Sequence, residues 1–360
     1  MNPDEVFNNK YFRLNRTLLK QVSLWPYEST STKVIKRIFI MVGFYSMSLP
    51  QMIRGIEEIR SDDPDPEIII ENLSGFIYFH GIISKLITQM VTENKLKYLY
   101  EEISKDWKTI TDKNEKAVLE KSAAVGHQLT IFYTGFVVLS AIFFVSITAF
   151  VPVFLNYVLP GNQTYQKQIC IYAEYFVDQE KYFYYIFTHT MVIGVMTVYV
   201  ATAIDSVFVN CVQHVLGLFN IIKFANLIQS AYNECFFLLA GLIVAGLSAF
   251  TYVLSQNVSN PLNFMRIWFL WFGVIVYMFF VNLPGQKLLN ISEELHLAIY
   301  DSSWHKFPIK TRFLIQIMML RCLKPCRLTA GRLIEMNFAS CSNILRTAFS
   351  YFTVVNSMNS

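Results

Sequence analysis

YFYYIFTHTMVIGVMTVYVATAI, residues 182–204, contains no Asp, Glu, Lys or Arg. A helix of this length crosses the roughly 30 Å hydrocarbon core of a bilayer, which takes about 20 residues. In lipid, backbone polar groups must be satisfied within the segment, so such a run is a helix. Residues 128–166, 235–265 and 267–286 are equally free of charge. Two more stretches are less clean. Residues 38–53 are uncharged with helical margins, and 68–91 carries only Glu71 and Lys85. Lys85 lies toward one end, where its ammonium is expected to snorkel to the interface. A terminal stretch, about 332–356, makes a seventh. Hydrophobic residues are 54% and charged residues 16% of the 360, too little charge to cover a soluble protein of this length. The sequence therefore predicts an all-α membrane protein, one domain over 1–360. Its seven transmembrane helices are expected near 34–56, 67–91, 128–157, 182–204, 234–256, 264–284 and 332–356. A cytoplasmic helix is expected at 310–323.

Lys and Arg set the orientation. With the N-terminus cytoplasmic, inner segments hold 23 basic residues and outer loops hold 5 (Arg54, Arg60, Lys167, Lys181, Arg266). The N-terminus is thus expected inside and the C-terminus outside, opposite to a G-protein-coupled receptor. The first 30 residues contain no sustained apolar run, so no cleaved leader is expected. They read as an amphipathic interfacial segment with Trp25 and Tyr27 at headgroup depth. The acidic cluster Asp62, Asp63, Asp65 and Glu67 reads as a solvated outer loop. Sequons at Asn162 and Asn257 fall in outer loops, and Asn72 lies near the outer end of the second span. Sequons at Asn15 and Asn290 fall inside.

Several function classes are disfavoured. Six scattered cysteines give no disulfide framework, and Cys322 with Cys326 lacks a nearby His for zinc. A net charge of +4 suggests no nucleic-acid partner. No cofactor motif appears. His189 and Asp205 have no evident catalytic partners, and no nucleophile constellation marks an enzyme. A secondary transporter would carry internal repeats or broken helices, and neither is visible.

Outside the spans, 97–122 interleaves charges with apolar residues at helical spacing, so spans two and three are expected to continue into the cytoplasm. KTRFLIQIMMLRCLKPCR, 310–327, holds the nearly unbroken apolar run FLIQIMML, too short to cross a bilayer. It either lies flat on the membrane or packs against copies of itself.

The last helix carries Ser340, Asn343, Thr347, Ser350, Val354 and Ser357 in alternating steps of three and four, which places them on one face. Ile344, Leu345, Phe349, Tyr351, Phe352 and Val355 flank it. Two explanations compete on the residues alone. Small polar groups let helices pack closely and hydrogen-bond across. Alternatively the stripe lines an aqueous pore with Val354 as a hydrophobic constriction. The second requires several copies to enclose the pore.

SYFTVV with its Ser-Met-Asn-Ser tail resembles the C-terminal motif of insect odorant receptors. NLPGQKLLNISEELHLAIYDSSWHKFPIKTRFLIQIMMLRCLKPCRLTAGRL resembles the cytoplasmic link and seventh-helix region of that family. FANLIQSAYNECFF resembles the start of its fifth span, and NKYFRLNRTLLKQVSLWPY its N-terminal segment in the hymenopteran style. The related gustatory receptors usually end differently, with a Thr-Tyr and a later Gln-Phe. The resemblance implies an odorant-gated, poorly selective cation channel in the plasma membrane of sensory dendrites. It implies a heterotetramer with a shared co-receptor subunit, a small volatile ligand, contact with membrane lipid and no enzyme activity. A gustatory-receptor-like channel subunit is the alternative, and a G-protein-coupled receptor a more distant one.

Carried over by position, Asn343, Thr347, Ser350, Val354, Ser357 and Met358 would line the pore, with Val354 at the narrow gate. Ser357 stands where the family often has an amide. The ligand pocket implied by the resemblance lies in the outer half, between spans two, three, four and six. Residues there include Phe76, Ile77 and His80; Phe143, Ser146, Ile147 and Phe150; Tyr184, Phe187, Thr188 and Met191; and Trp268 and Trp271. For each aromatic, ordinary bundle packing is the competing role. His80 is expected to donate to a ligand oxygen or to another helix. The link between spans four and five, GLFNIIK at 217–223 running into FANLIQSAYN, is shorter than is usual for the family.

Overall fold

The computed structural model of the chain describes residues 3–158, 169, 171–216, 221–258, 261–306 and 308–358. After a 3-10 turn at Pro3–Asn8 come α1 (Arg13–Gln21), α2 (Thr30–Ile59), α3 (Pro66–Val91), α4 (Glu93–Thr109), α5 (Lys113–Ala149) and α6 (Val151–Val158). Then follow α7 (Phe183–Leu216), α8 (Ile221–Gln256), α9 (Pro261–Asp301), α10 (Ile309–Cys322) and α11 (Phe338–Met358). Between α10 and α11 a two-stranded antiparallel hairpin pairs β1 (Thr329–Ala330) with β2 (Ile334–Glu335). The Asn162 sequon, Lys167, Cys170 and residues 217–220 of the short link lie outside the described residues.

The expected spans overlap α2, α3, α5 with α6, α7, α8, α9 and α11. Among the described residues four helices are long and apolar enough to cross a membrane: Lys113–Phe144, Phe183–His214, Ile228–Gln256 and Asn263–Asp301. Helix starts follow local chemistry. Ser29 caps α2 by accepting from the Thr32 N–H. Asp65 accepts from Glu67 N–H, and Pro66, whose missing donor costs nothing at a first turn, opens α3. A turn at Phe150, ahead of Pro152, separates α5 from α6. Two internal prolines leave their helices continuous. Pro50 sits inside α2 and Pro284 inside α9, which runs on to Asp301 well beyond the expected end of its span. The hairpin takes residues expected to begin the last span, so α11 starts later, at Phe338.

In the N-terminal segment Trp25, expected at headgroup depth, packs inside the protein. Trp25 is 1% exposed, stacked on Tyr100 of α4 and edge-on to Phe7. Phe12 meets Trp107 of α4. Those aromatic groups bury too much area to sit at a headgroup surface when a helical groove is present to receive them. The acidic loop is also more than solvated surface. Besides the Asp65 cap, Glu67 accepts from the Asn257 amide. That contact and the Asn257 bond to the Val253 carbonyl leave the Asn257 side chain buried. The Asn72 amide is likewise committed, to the Tyr172 carbonyl at 3.0 Å.

The hairpin is fixed to α8 by side-chain amides. Gln229 accepts from Thr329 N–H at 2.7 Å and donates to the Thr329 carbonyl and hydroxyl at 2.6 and 2.7 Å. Asn233 accepts from the N–H groups of Gly331 and Arg332. Gly331 is left-handed at φ 63°, and Phe237 fills the place a Cβ would take.

Candidate functional site

The last helix divides into two faces. Cys341 and Ala348 are buried and Ile344, Leu345 and Phe352 half-buried, packed against α8 and α9. Their spacing is that of one helical stripe. Asn343, Thr347, Ser350, Val354 and Ser357 lie on the opposite, exposed face. Three hydroxyls there bond back to their own helix: Thr347 to the Asn343 carbonyl, Ser350 to that of Arg346, Ser357 to that of Val354, at 2.8–3.0 Å. These three hydroxyls thus donate within their own helix. Met358 ends α11, and its side chain lies outside the described residues. Arg346 is exposed beside this face. Its offset of three from Asn343 and four from Ser350 accounts for that placement.

The expected ligand residues lie on or beside four helices, α3, α5, α7 and α9. Phe143 of α5 meets Phe269 of α9 at 3.9 Å between ring centroids. Phe150 meets Phe187 of α7 edge-on at 6.0 Å. Trp268 stacks on Phe272 and is 38% exposed. Trp271 donates to the Thr251 hydroxyl of α8 at 3.0 Å. Met191 is half-buried, as is Ile77, while Tyr184 and Thr188 are exposed. The side chains of Ser146 and Ile147 lie outside the described residues.

His80 departs from the expectation. Its Nδ1 lies 2.9 Å from the Phe76 carbonyl of its own helix, and its ring rests on the Phe76 ring at 3.9 Å. A carbonyl only accepts, so Nδ1 carries the proton and Nε2 is an acceptor. The free nitrogen is therefore suited to receive a hydrogen bond, and the bond made is within α3 rather than to another helix. Neither of two cavities involves these residues. One is a groove of about 530 Å³ along α2 beside Met41, Tyr45 and Ser46. The other, about 30 Å³, lies among Leu239, Tyr277, Met278, Met336 and Ile344, where α8, α9, the hairpin and α11 meet.

The interior holds charges that the sequence reading placed elsewhere. Lys85 does not snorkel. It is 1% exposed and its Nζ donates to both Asp205 carboxylate oxygens, at 2.8 and 2.9 Å. Tyr133 of α5 donates to the same carboxylate at 2.9 Å, and its ring stacks on Phe280 of α9. Farther out, Arg266, counted as a loop residue, is buried against Glu71 at 2.5 Å. Burying one charge alone is far costlier than burying a bonded pair, so each apolar span that carries a lone charge required an opposite one. Asp205, at the end of the 182–204 run, was the available partner for Lys85.

His189 does have neighbours. Its Nε2 is 2.9 Å from the Ser46 hydroxyl and its Nδ1 3.1 Å from that of Tyr175. The Ser46 hydroxyl donates to the Gly43 carbonyl at 2.7 Å, so it accepts from His189 and is not an activated nucleophile. Asp205 is spent on Lys85 and Tyr133. The arrangement ties the 171–182 segment to α2 and α7; Glu174 N–H also reaches the Pro50 carbonyl at 2.9 Å.

A family model described as 7tm odorant receptor matches residues 219–349, the segment that holds α8, α9, α10 and the hairpin. Over that segment the chain is similar to insect odorant receptors. Odorant receptor 30a of Drosophila melanogaster is 21% identical over 145 residues, 40% of this chain and 37% of that protein. Odorant receptor 9a of the same species is 23% identical over 138 residues, 38% of this chain and 35% of that one. The matched segment therefore spans about a third of the length of these curated relatives. The likeness in fold is wider. The insect olfactory receptor OR5 from Machilis hrabei, solved in complex with eugenol, superposes with a TM-score of 0.78 at 14% identity. That match covers 99% of this chain and 100% of the solved one. A second structure of the same receptor superposes with a TM-score of 0.77 at 14% identity. The fold shared with that receptor is all-α.

Proposed function

We propose that the chain is the odorant-binding subunit of a ligand-gated, non-selective cation channel whose pore is lined by α11. The observation that carries this reading is the two-faced last helix. In a chain with the odorant-receptor fold, one face of α11 is packed on α8 and α9, and the other presents a charge-free row of hydroxyls and an amide to the outside. One α11 encloses nothing, so the pore needs several subunits. A heterotetramer with the co-receptor subunit of insect olfaction supplies them. Val354 is the hydrophobic constriction, and Asn343, Thr347, Ser350, Ser357 and Met358 line the path on either side of it.

The N-terminus and the α4, α10 and hairpin region face the cytoplasm and the C-terminus faces outward, in the plasma membrane of a sensory dendrite. The excess of inner Lys and Arg supports that orientation. A small volatile ligand binds in the outer half among Phe76, His80, Phe143, Ser146, Ile147, Phe150, Phe187, Met191 and Trp268. Dispersion dominates its affinity, and His80 Nε2 accepts from a ligand hydroxyl where one is present. The eugenol bound by the Machilis receptor, a phenol, is of that class.

The test is whole-cell current from cells expressing this chain with an insect co-receptor, challenged with a broad panel of volatile odorants. An odorant-evoked cation current, absent with co-receptor alone, is expected. Silence across the panel with confirmed surface expression refutes the channel reading.

A further inference from the structure

Neither the pore stripe nor the ligand region uses the innermost charges of the bundle. We propose that the Lys85–Asp205 pair is a positioning element that links the ligand-facing helices to the last helix through Tyr277. Four helices meet at this pair. Lys85 comes from α3 and Asp205 from α7, and Tyr133 of α5 bonds the carboxylate. The ammonium also lies 4.4 Å from the ring centroid of Tyr277 on α9.

The next residue on α9, Met278, is fully buried. Its carbonyl is 4.0 Å from the Cys341 sulfur of α11. Tyr277 and Met278 share a cavity of about 30 Å³ with Ile344 of α11. The contacts thus run without a gap from α3, α5 and α7, through one turn of α9, to the buried face of the pore helix.

The chemistry makes the pair suited to positioning rather than to stability. A buried ion pair contributes little net stability compared with apolar residues of the same volume, and its value is in fixing one arrangement. Charges inside a membrane bundle are functional candidates by default. Here the ammonium is held by two carboxylate oxygens and a ring face together. A slide of α3 against α7 breaks these contacts as a set, so the helices hold one register or leave it, with no gradual path. On α3 the pair lies five residues inward of His80, about 7.5 Å by helical rise, directly beneath the expected ligand region.

The test reads the far end of the route. Cys341 is 1% exposed and is left as the sole thiol by replacing the other five cysteines with Ala. A membrane-permeant maleimide then labels it in intact cells, with surface level measured separately by biotinylation. The main variant is Lys85→Met/Asp205→Leu/Tyr133→Phe, which removes the charges without orphaning the tyrosine hydroxyl and leaves Tyr277 and α11 untouched. At parental surface level, Cys341 labelling is expected to accelerate at least tenfold. A rate within twofold of the parent overturns the inference. Should the triple variant fail to reach the surface, Lys85→Met decides by the same criterion.

The consequence for gating rests on the channel reading, and a second arm separates the two. With co-receptor present, the triple variant is expected to shift the half-maximal concentration of the panel's most effective odorant at least fivefold. An unchanged dose–response at parental surface level overturns the coupling role. A wild-type chain that stays silent refutes the channel reading instead, and the labelling rate still decides the positioning role.

Discussion

Gln229→Leu should release the hairpin that carries the chain from α10 into α11. In the native protein the Gln229 amide makes three hydrogen bonds to Thr329, at 2.6–2.7 Å, through the N–H, the carbonyl and the hydroxyl. Each is worth about 1 kcal/mol net. Leu has a similar volume and keeps the packing; because Nε2 also donates to Asn233 Oδ1 at 2.7 Å, its two protons are shared among three acceptors, and the loss is about 2–3 kcal/mol. Two Asn233 bonds, to Gly331 and Arg332, remain. At about 1.4 kcal/mol per factor of ten, the opened hairpin should become roughly a hundredfold more populated. Arg332 lies in the exposed turn, which makes trypsin the probe. Proteolysis of a locally opened segment tracks its equilibrium population when closing is fast. Purified protein in detergent should be cut after Arg332 faster by one to two orders of magnitude, while cleavage after the exposed Lys310 of α10 serves as an internal reference. A change of less than threefold, relative to that reference, would mean that the amide contributes nothing the β-turn does not already supply.

Gly331→Ala adds a Cβ at a left-handed residue where Phe237 already sits; about 2 kcal/mol of destabilisation is expected, read as a lower melting midpoint in detergent. Burial of the Glu93 carboxyl raises its pKa, but the bonds from Arg37 and Lys33 outweigh it, and the group stays below its ordinary 4.5. A depressed carboxylate stabilises above its unfolded value and loses that contribution as pH falls through the folded one, so Glu93→Gln should melt less pH-dependently than wild type below about pH 4.5. Val354→Ala should raise leak current and Ser357→Lys suppress cation flow in co-receptor-expressing cells; unchanged conductance in both would remove this face from the pore. Arg346→Ala, which deletes a positive charge beside the stripe, should increase single-channel cation conductance, most at low ionic strength.

Much of the fold was legible because lipid imposes simple rules. A charge-free run such as 182–204 has only one stable secondary structure, and it forms α7. The two-faced α11 was readable from spacing alone, because a 3.5-residue period survives into three dimensions. What failed was reading charges one at a time. Lys85 was assigned to the interface and Arg266 to a loop because each was judged by its distance from the end of a hydrophobic run. Both are buried with partners 120 and 195 residues away in sequence, and no local pattern encodes that pairing. Trp25 failed for a related reason: an amphipathic segment offers an aromatic face, but whether lipid or α4 receives it is decided by packing. His80 was legible as a polar group in an apolar span. Its direction was not, since the proton is spent on a carbonyl one turn earlier in the same helix.

Helix α9 runs 41 residues without interruption, about 60 Å at ~1.5 Å per residue, twice the thickness of a bilayer core. Its first 24 residues, Pro261 to Pro284, are about 36 Å long at ~1.5 Å per residue, enough to cross that thickness, and the remainder continues as a stiff arm. Rotation by about 5° around its midpoint carries each end some 2–3 Å in opposite directions, given that 30 Å half-length. A displacement the size of one methyl group, imposed where Trp268 sits, is thus delivered undiminished near His296, with no need for any intervening residue to change conformation.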